Sequence, residues 1–365
     1  MEVVARELIP ALLAAAPPGM RFTAFVNREA TAARDGPWGE LLPSVTVPVR
    51  ARSRAQWVIG EQALLPVLGA RAGVDLMHSL ASMAPAWGSF KRVVTVHDLI
   101  YARYPAAHSG LRERGMRVLV PLAARRSERV IADSASTRDD LVELLGIDGR
   151  RIDVVPLGLG AVRREEPMTE RELRARLNLG ERRIVLSLSA KRPHKNLAAL
   201  IGAIARLPAE DRPVLVLPGY PTWHEAELRE RAEAAGVSAD VRLIGWISGE
   251  ELEGLWSMAE AFVFPSLYEG FGLPVLEAMA RGVPVACSNT SSLPEVAGEA
   301  ALLFDPRDEA QIADALARLL ADSELCGRLR ALGRERAKLF SWERAARLTL
   351  ASYSRALSSS GSPEA

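Results

Sequence analysis

An α/β chain of two doubly wound, parallel-sheet domains is the fold class that the sequence predicts, on three observations. Short β-branched runs alternate with amphipathic stretches almost from end to end, the pattern of parallel sheets covered by helices on both faces. The runs fall into two sets, separated by the polar stretch Gly158 to Arg182. A chain of 365 residues, 48% hydrophobic and 25% charged, is long enough for one or two full cores, and two domains is the better prior.

Taken in order, the chain opens at Met1 directly on an amphipathic helix, Val3 to Ala16, with neither a strand nor an N-cap before it. A doubly wound domain normally begins with a strand. The expectation is therefore that the first N-terminal strand is missing and that an in-frame upstream segment encodes it; a stop codon immediately upstream would refute this. Strands are expected at Arg21 to Asn27, Ser44 to Val49, Val74 to His78, Arg92 to His97, Arg129 to Asp133 and Ile152 to Pro156. The polar stretch that follows, with Gly-Leu-Gly and Arg163-Arg-Glu-Glu-Pro, reads as a linker and puts the domain boundary near residue 160. A second set is expected at Arg183 to Ser189, Pro213 to Gly219, Val241 to Gly245, Ala261 to Pro265, Val283 to Ser288 and Ala301 to Phe304. These bound an N-terminal domain over 1–160 and a C-terminal domain over 161–340. A last helix over 341–357, with Ser341 as N-cap, is expected to pack across both. The Ser-, Gly- and Pro-rich residues 358–365 read as a disordered tail.

Composition narrows the function. Forty-six cationic against forty-five acidic side chains leave a net charge of +1, so no general field draws nucleic acid to this chain. Two cysteines, Cys287 and Cys326, exclude a disulfide framework and any cysteine-based zinc site. No run approaches the roughly 18 apolar residues that span a bilayer, and no signal peptide is evident, so a cytoplasmic protein is expected. Arginine is the default cation; of the four lysines, Lys191 and Lys195 lie close together, as if a compact ammonium were wanted there.

Chemistry concentrates in the segment Tyr268-Glu269-Gly270-Phe271-Gly272-Leu273-Pro274-Val275-Leu276-Glu277-Ala278-Met279-Ala280. A buried strand ending at Pro265 gives way to a helix whose first turn tolerates Pro274 and whose stop is Gly282. Helix N-termini at the carboxyl ends of parallel strands attract anions, so a phosphate-bearing ligand is expected. Glu277 is expected in the first turn. As a dinucleotide fingerprint the segment fails, with Val275 in place of the third glycine, and as a glycosidase pair it lacks an open cleft around Glu277. A bland reading remains: a helix-dipole partner and a loop charge.

The same residues resemble the signature of family 4 glycosyltransferases, retaining enzymes with the GT-B fold. The resemblance runs through Gly245-Trp-Ile-Ser before the segment and Ser291-Ser-Leu-Pro-Glu295-Val-Ala-Gly298 after it, and covers most of the chain. It implies two Rossmann-like domains facing a cleft, the C-terminal one binding a nucleotide sugar and the N-terminal one on the acceptor side. Glu277 is then expected to accept hydrogen bonds from the donor ribose and Glu269 to face the transferred sugar. The backbone of Gly270, Phe271, Gly272 and Leu273 is expected to meet sugar and diphosphate, which a side chain would obstruct. Ser189-Ala-Lys191-Arg192-Pro-His-Lys195-Asn196 resembles the family's Pro-Arg-Lys-Asn loop. Lys195 matches the lysine that neutralises the diphosphate as the bond to it breaks. The second cation of many members stands where this chain has Ala190, which leaves Lys191 or Arg192 as its substitute. His97 and Asp98, after an N-terminal-domain strand, are expected near the transferred sugar; a packed, hydrogen-bonded histidine is the competing reading. Asp133 and Ser134 are weaker candidates of the same kind. Trp246 and Ile247 fall on the base-binding loop, and Glu295 is expected to brace the donor loop. The resemblance also implies a Gly-Gly loop before the first helix, in which Met1 would be the last residue.

The function expected is transfer of a hexose from GDP-mannose or a UDP-sugar to a saccharide or lipid-linked acceptor. No cofactor and no metal are expected, since the five histidines show no ligand spacing with carboxylates. A nucleotide-sugar epimerase, a phosphorylase and a catalytically weak nucleotide-sugar-binding protein are the alternatives. Arg112, Arg114, Arg117, Arg125, Arg126 and Arg129 crowd an apolar stretch, a surface of the kind that docks on anionic lipid at the inner face of the plasma membrane; a solvated helix face is the competing reading.

Overall fold

The computed structural model describes residues 2–33, 41–50, 52–105, 111–160 and 165–359. Met1, His108, residues 161–164 of the linker and the end of the tail lie outside them, as do the side chains of Arg112 and Arg114. Among the described residues twelve strands appear, each within a few residues of its expected run. They are β1 Ala24–Val26, β2 Ser44–Thr46, β3 Leu76–Ser79, β4 Lys91–Val96, β5 Arg129–Ala132, β6 Ile152–Val154, β7 Ile184–Leu186, β8 Val214–Leu217, β9 Val241–Leu243, β10 Ala259–Phe264, β11 Val285–Ser288 and β12 Ala301–Phe304. Every pairing between them is parallel. The chain divides into two compact units, one running to Gly160 and resuming at Phe340, the other between.

In the second unit the strand order is β12-β11-β10-β7-β8-β9. The chain winds outward from β7 to β9 and then returns to lay β10 on the other side of β7. Phe262 of β10 stands opposite Leu186 of β7, and a register shift at Ala259 to Ala261 sets this alignment. Where strand order reverses, the connections after the two strands leave on opposite faces and open a crevice at the carboxyl edge. The strands are buried on both faces, which is why they read as continuous apolar runs rather than alternating ones. Leu200, Ile201 and Ile204 of the helix Leu197–Arg206 pack on Leu215, Leu217 and Val263, and each such side chain contributes roughly 1.5–3 kcal/mol on burial.

The helix after β10, Leu273–Arg281, follows from its ends. Gly272 before it has φ +119°, Pro274 sits in its first turn, and Gly282 closes it at φ +71° by donating to Ala278 O and Met279 O. Glu277 is the fifth residue of that helix, so it stands in the second turn and not, as expected, in the first.

In the first unit β3-β4-β5-β6 form one sheet and β1-β2 another, with no strand joining them among the described residues. The last helix, Trp342–Ser358, starts at Ser341, whose hydroxyl accepts from Arg344 N–H. Its described contacts fix it to this unit: Tyr353 OH to His78 Nδ1 at 2.8 Å, Ser352 Oγ and Arg355 to the Asp153 carboxylate at 2.7 and 2.8 Å. It also packs on the helix Glu2–Ala15 and on β3, β4 and β5. Among the described residues no helix is long and apolar enough to cross a membrane.

Candidate active site

Both connections at the β7/β10 switch point carry charge, and the charges meet. Lys195 ends a short 3₁₀ turn after β7, Pro193–Lys195, and donates from Nζ to Glu269 Oε1 at 2.5 Å. The two side chains are 16% and 11% exposed, so the pair is sheltered but reachable. The Phe264 ring at the end of β10 lies 5.6 Å from the ammonium and adds a cation–π contact. Residues 74 positions apart in sequence thus form one centre where the fold predicts a ligand.

The two candidates for the second cation, Lys191 and Arg192, stand in different surroundings. Lys191 is fully buried, and its Nζ donates to Gly219 O at 2.8 Å and Ile244 O at 2.5 Å, with Glu225 at 3.7 Å. Those carbonyls end β8 and β9, so this lysine ties together the connections after β7, β8 and β9. Burial pulls its pKa below the usual lysine range, against the pull of Glu225. It is a clamp between loops, not a charge presented outward. Thr222 Oγ1 donates to Lys191 O, and Gly219 N–H donates to Gly245 O at 3.1 Å, closing the same knot. Arg192 is half-buried, and its guanidinium has no polar partner among the described residues. The Ser189 hydroxyl is buried and also unpartnered among them. Trp246 is 81% exposed, which excludes a core role for its indole; Ile247 is half-buried beside it.

The loop between β10 and its helix is buried along Glu269, Gly270, Phe271 and Gly272. At Gly272 a Cβ would stand 2.8 Å from Leu293 Cδ2, on a backbone that L side chains rarely adopt. Leu273 and Glu277 are half-buried beyond it. Glu295, expected to brace this loop, has an exposed side chain, and its carbonyl accepts from Arg336. Thr290, Ser291 and Ser292 brace the loop, a role the sequence did not assign to them because three hydroxyl residues after a strand read as an ordinary turn.

In the first unit, His97 Nδ1 lies 2.7 Å from Asp133 Oδ2 and Nε2 lies 2.8 Å from Leu80 O. Leu80 O can only accept, so Nε2 carries a proton, and a second proton is shared between Nδ1, where it charges the ring, and the buried Asp133 carboxyl, whose own pKa burial raises. Burial opposes that charge, but the Asp133 carboxylate outweighs it and holds the His97 pKa above the ordinary value. Both ring nitrogens of His97 are engaged within this unit, while its side chain stays 16% exposed. Asp98 Oδ1 accepts from Ile100 N–H at 3.1 Å, and Ser134 caps the helix Ala135–Leu145 through Thr137 N–H. His78 contrasts with His97. Its partners, Tyr353 OH and Thr95 Oγ1, both at 2.8 Å, can donate or accept, and burial with the neighbouring His97 charge lowers its pKa to about 3.

Among the described residues no group of three or more His, Cys, Asp or Glu could hold a metal ion. Of the crowded arginines, Arg125 donates to Leu145 O and Arg129 pairs with Asp153, so part of that charge is spent inside the unit.

Two parallel α/β units, one with a charged pair at its switch point, are the architecture that the GT-B resemblance implies. Residues 169–336 match the family described as Glycosyl transferases group 1 and residues 1–161 match Glycosyltransferase Family 4. The chain is 32% identical over 266 residues to O-antigen chain mannosyltransferase B of Escherichia coli, covering 72% of this chain and 70% of that one. A GDP-mannose-dependent alpha-(1-6)-phosphatidylinositol monomannoside mannosyltransferase of Mycobacterium tuberculosis is 31% identical over 310 residues, 81% of this chain and 76% of that one. Sucrose-phosphate synthase of Thermosynechococcus elongatus superposes with a TM-score of 0.68 at 25% identity, over 86% of this chain and 82% of that one. The chain belongs to the family 4 glycosyltransferases, as its motifs imply, and it is an enzyme of glycan biosynthesis.

Proposed function

We propose that this glycosyltransferase moves a hexose, with retention of anomeric configuration, from a nucleoside diphosphate sugar to a saccharide or lipid-linked acceptor. GDP-mannose is the preferred donor over a UDP-sugar, because relatives at 31–32% identity carry mannosyltransferase names and one is named GDP-mannose-dependent. The observation that carries the reading is the Lys195–Glu269 pair at the switch point, beside a glycine loop and a helix N-terminus. In the free protein the two charges neutralise each other; an arriving diphosphate competes for Lys195 and releases Glu269 toward the sugar. As the sugar–phosphate bond breaks, the acceptor hydroxyl attacks from the same face and its proton passes to the departing phosphate oxygen. Lys195 and the amides at the start of the helix Leu273–Arg281 stabilise the charge that builds there. Glu277, one turn further on, suits the ribose diol. Arg192, with Lys191 committed to its clamp, is the second cation for the diphosphate. His97, as an imidazolium, contributes positive charge and fixes the backbone at Leu80 rather than offering a free nitrogen.

Trp246 and Ile247 then border the nucleobase through the loop after β9. No metal enters this scheme, so turnover should persist in excess chelator. A cytoplasmic location belongs to this reading, and flotation with anionic liposomes tests for contact with a membrane surface. The deciding experiment is sugar transfer from GDP-mannose and UDP-sugars by wild type, Lys195→Ala and Glu277→Ala. Turnover should fall at least about a hundredfold in the first, and donor affinity about tenfold in the second. Donor binding without turnover on any acceptor would favour a binding protein instead.

A further inference from the structure

Thr290, Ser291 and Ser292 follow β11 and meet the backbone of the loop after β10 in consecutive steps. Thr290 Oγ1 donates to Leu267 O at 3.2 Å, and Ser291 Oγ accepts from Glu269 N–H at 2.9 Å. Ser292 Oγ lies 2.9 Å from Glu269 O and 2.6 Å from Phe271 O and shares its one proton between them. Ser292 is fully buried, and Ser291 keeps a left-handed φ of +52°, a conformation serine rarely adopts. In a trans peptide a carbonyl and the next amide point in opposite directions. Drawing the carbonyl of Phe271 onto Ser292 therefore turns the amide of Gly272, the residue before the helix Leu273–Arg281, to the opposite face.

We propose that Thr290-Ser291-Ser292 is a positioning ladder that presets the Gly272 amide for the distal phosphate and sugar of the donor. The inference rests on the nucleotide-sugar reading and deepens it. Amides that must reorganise during bond breaking stabilise the developing charge less than amides already aimed, so the ladder acts on the diphosphate end and on turnover. It does not act on the ribose, which Glu277 serves.

The test uses the full-length chain and two variants, Ser292→Ala and Ser291→Gly. The second removes a hydroxyl at a φ that glycine adopts without strain, so it keeps the question answerable if the buried substitution fails to fold. Affinities for GMP and GDP, and for UMP and UDP, are titrated beside kcat and KM with the corresponding sugar donors. Both variants should bind the diphosphate about tenfold more weakly and the monophosphate within about twofold of wild type, with kcat reduced. A parallel loss of mono- and diphosphate affinity would mean a merely structural role and overturn the proposal, as would wild-type affinity and kcat. Glu277→Ala separates the two levels. If it weakens both nucleotides while the serine variants match wild type, the ladder fails and the nucleotide-sugar reading stands. If it too binds like wild type, the reading itself fails.

Discussion

At the scale of single residues, partners decide charge. His97 shares a proton with the buried Asp133 carboxyl while its Nε2 donates to Leu80 O, whereas His78 faces two hydroxyls and stays neutral. A folded-state pKa of about 3 for His78 against an ordinary 6.5 means that the unfolded chain takes up a proton the folded chain refuses. The stability it supports is present in full above pH 6.5 and is lost as the pH falls toward about 3, by up to about 1.4 kcal/mol per pH unit. His78→Gln should therefore flatten the fall in unfolding free energy between about pH 7 and pH 5. An unchanged slope in urea titrations would mean that His78 is already charged in the folded state. His97 has the opposite sign: its raised pKa supports stability below the ordinary value and loses it as pH rises through the folded one.

At the scale of elements, loops at the carboxyl edge of the second unit's sheet are tied together by the buried Lys191. Lys191→Met keeps the volume but leaves the carbonyls of Gly219 and Ile244 without their donor, at about 1–3 kcal/mol each. The melting temperature should fall; loss of diphosphate binding with unchanged melting would instead make Lys191 a phosphate ligand. Gly272→Ala should destabilise by roughly 1–3 kcal/mol and weaken donor binding, because φ +119° strains any side chain and Leu293 is already in the way. Calorimetric unfolding beside nucleotide titration measures both effects. The strands themselves were legible, since buried parallel strands must be apolar and β-branched over several residues. The Lys191 clamp was not: a lysine in a polar loop reads alike whether solvated or buried, and its partners stand 28 and 53 residues away.

For the whole molecule, the class of enzyme was readable through the family resemblance carried by the segment Glu269 to Glu277 and by the loop around Lys195. What the spacing within them did not carry is the order β12-β11-β10-β7-β8-β9, which brings β7 beside β10 and so puts Lys195 against Glu269. Nor did it carry the inward commitment of His97, fixed by Asp133 and by a carbonyl of Leu80 from another strand's end. A carboxylate and a carbonyl distant in sequence leave no local pattern. The central claim is that the switch point of the second unit binds a nucleoside diphosphate sugar through Lys195, Glu269 and Glu277. Isothermal titration of wild type, Lys195→Ala and Glu277→Ala with GDP-mannose and UDP-glucose tests it most directly. Saturable binding of at least one donor by wild type, weakened about tenfold or more in Glu277→Ala and clearly in Lys195→Ala, is the predicted result; equal affinity in all three proteins would contradict it.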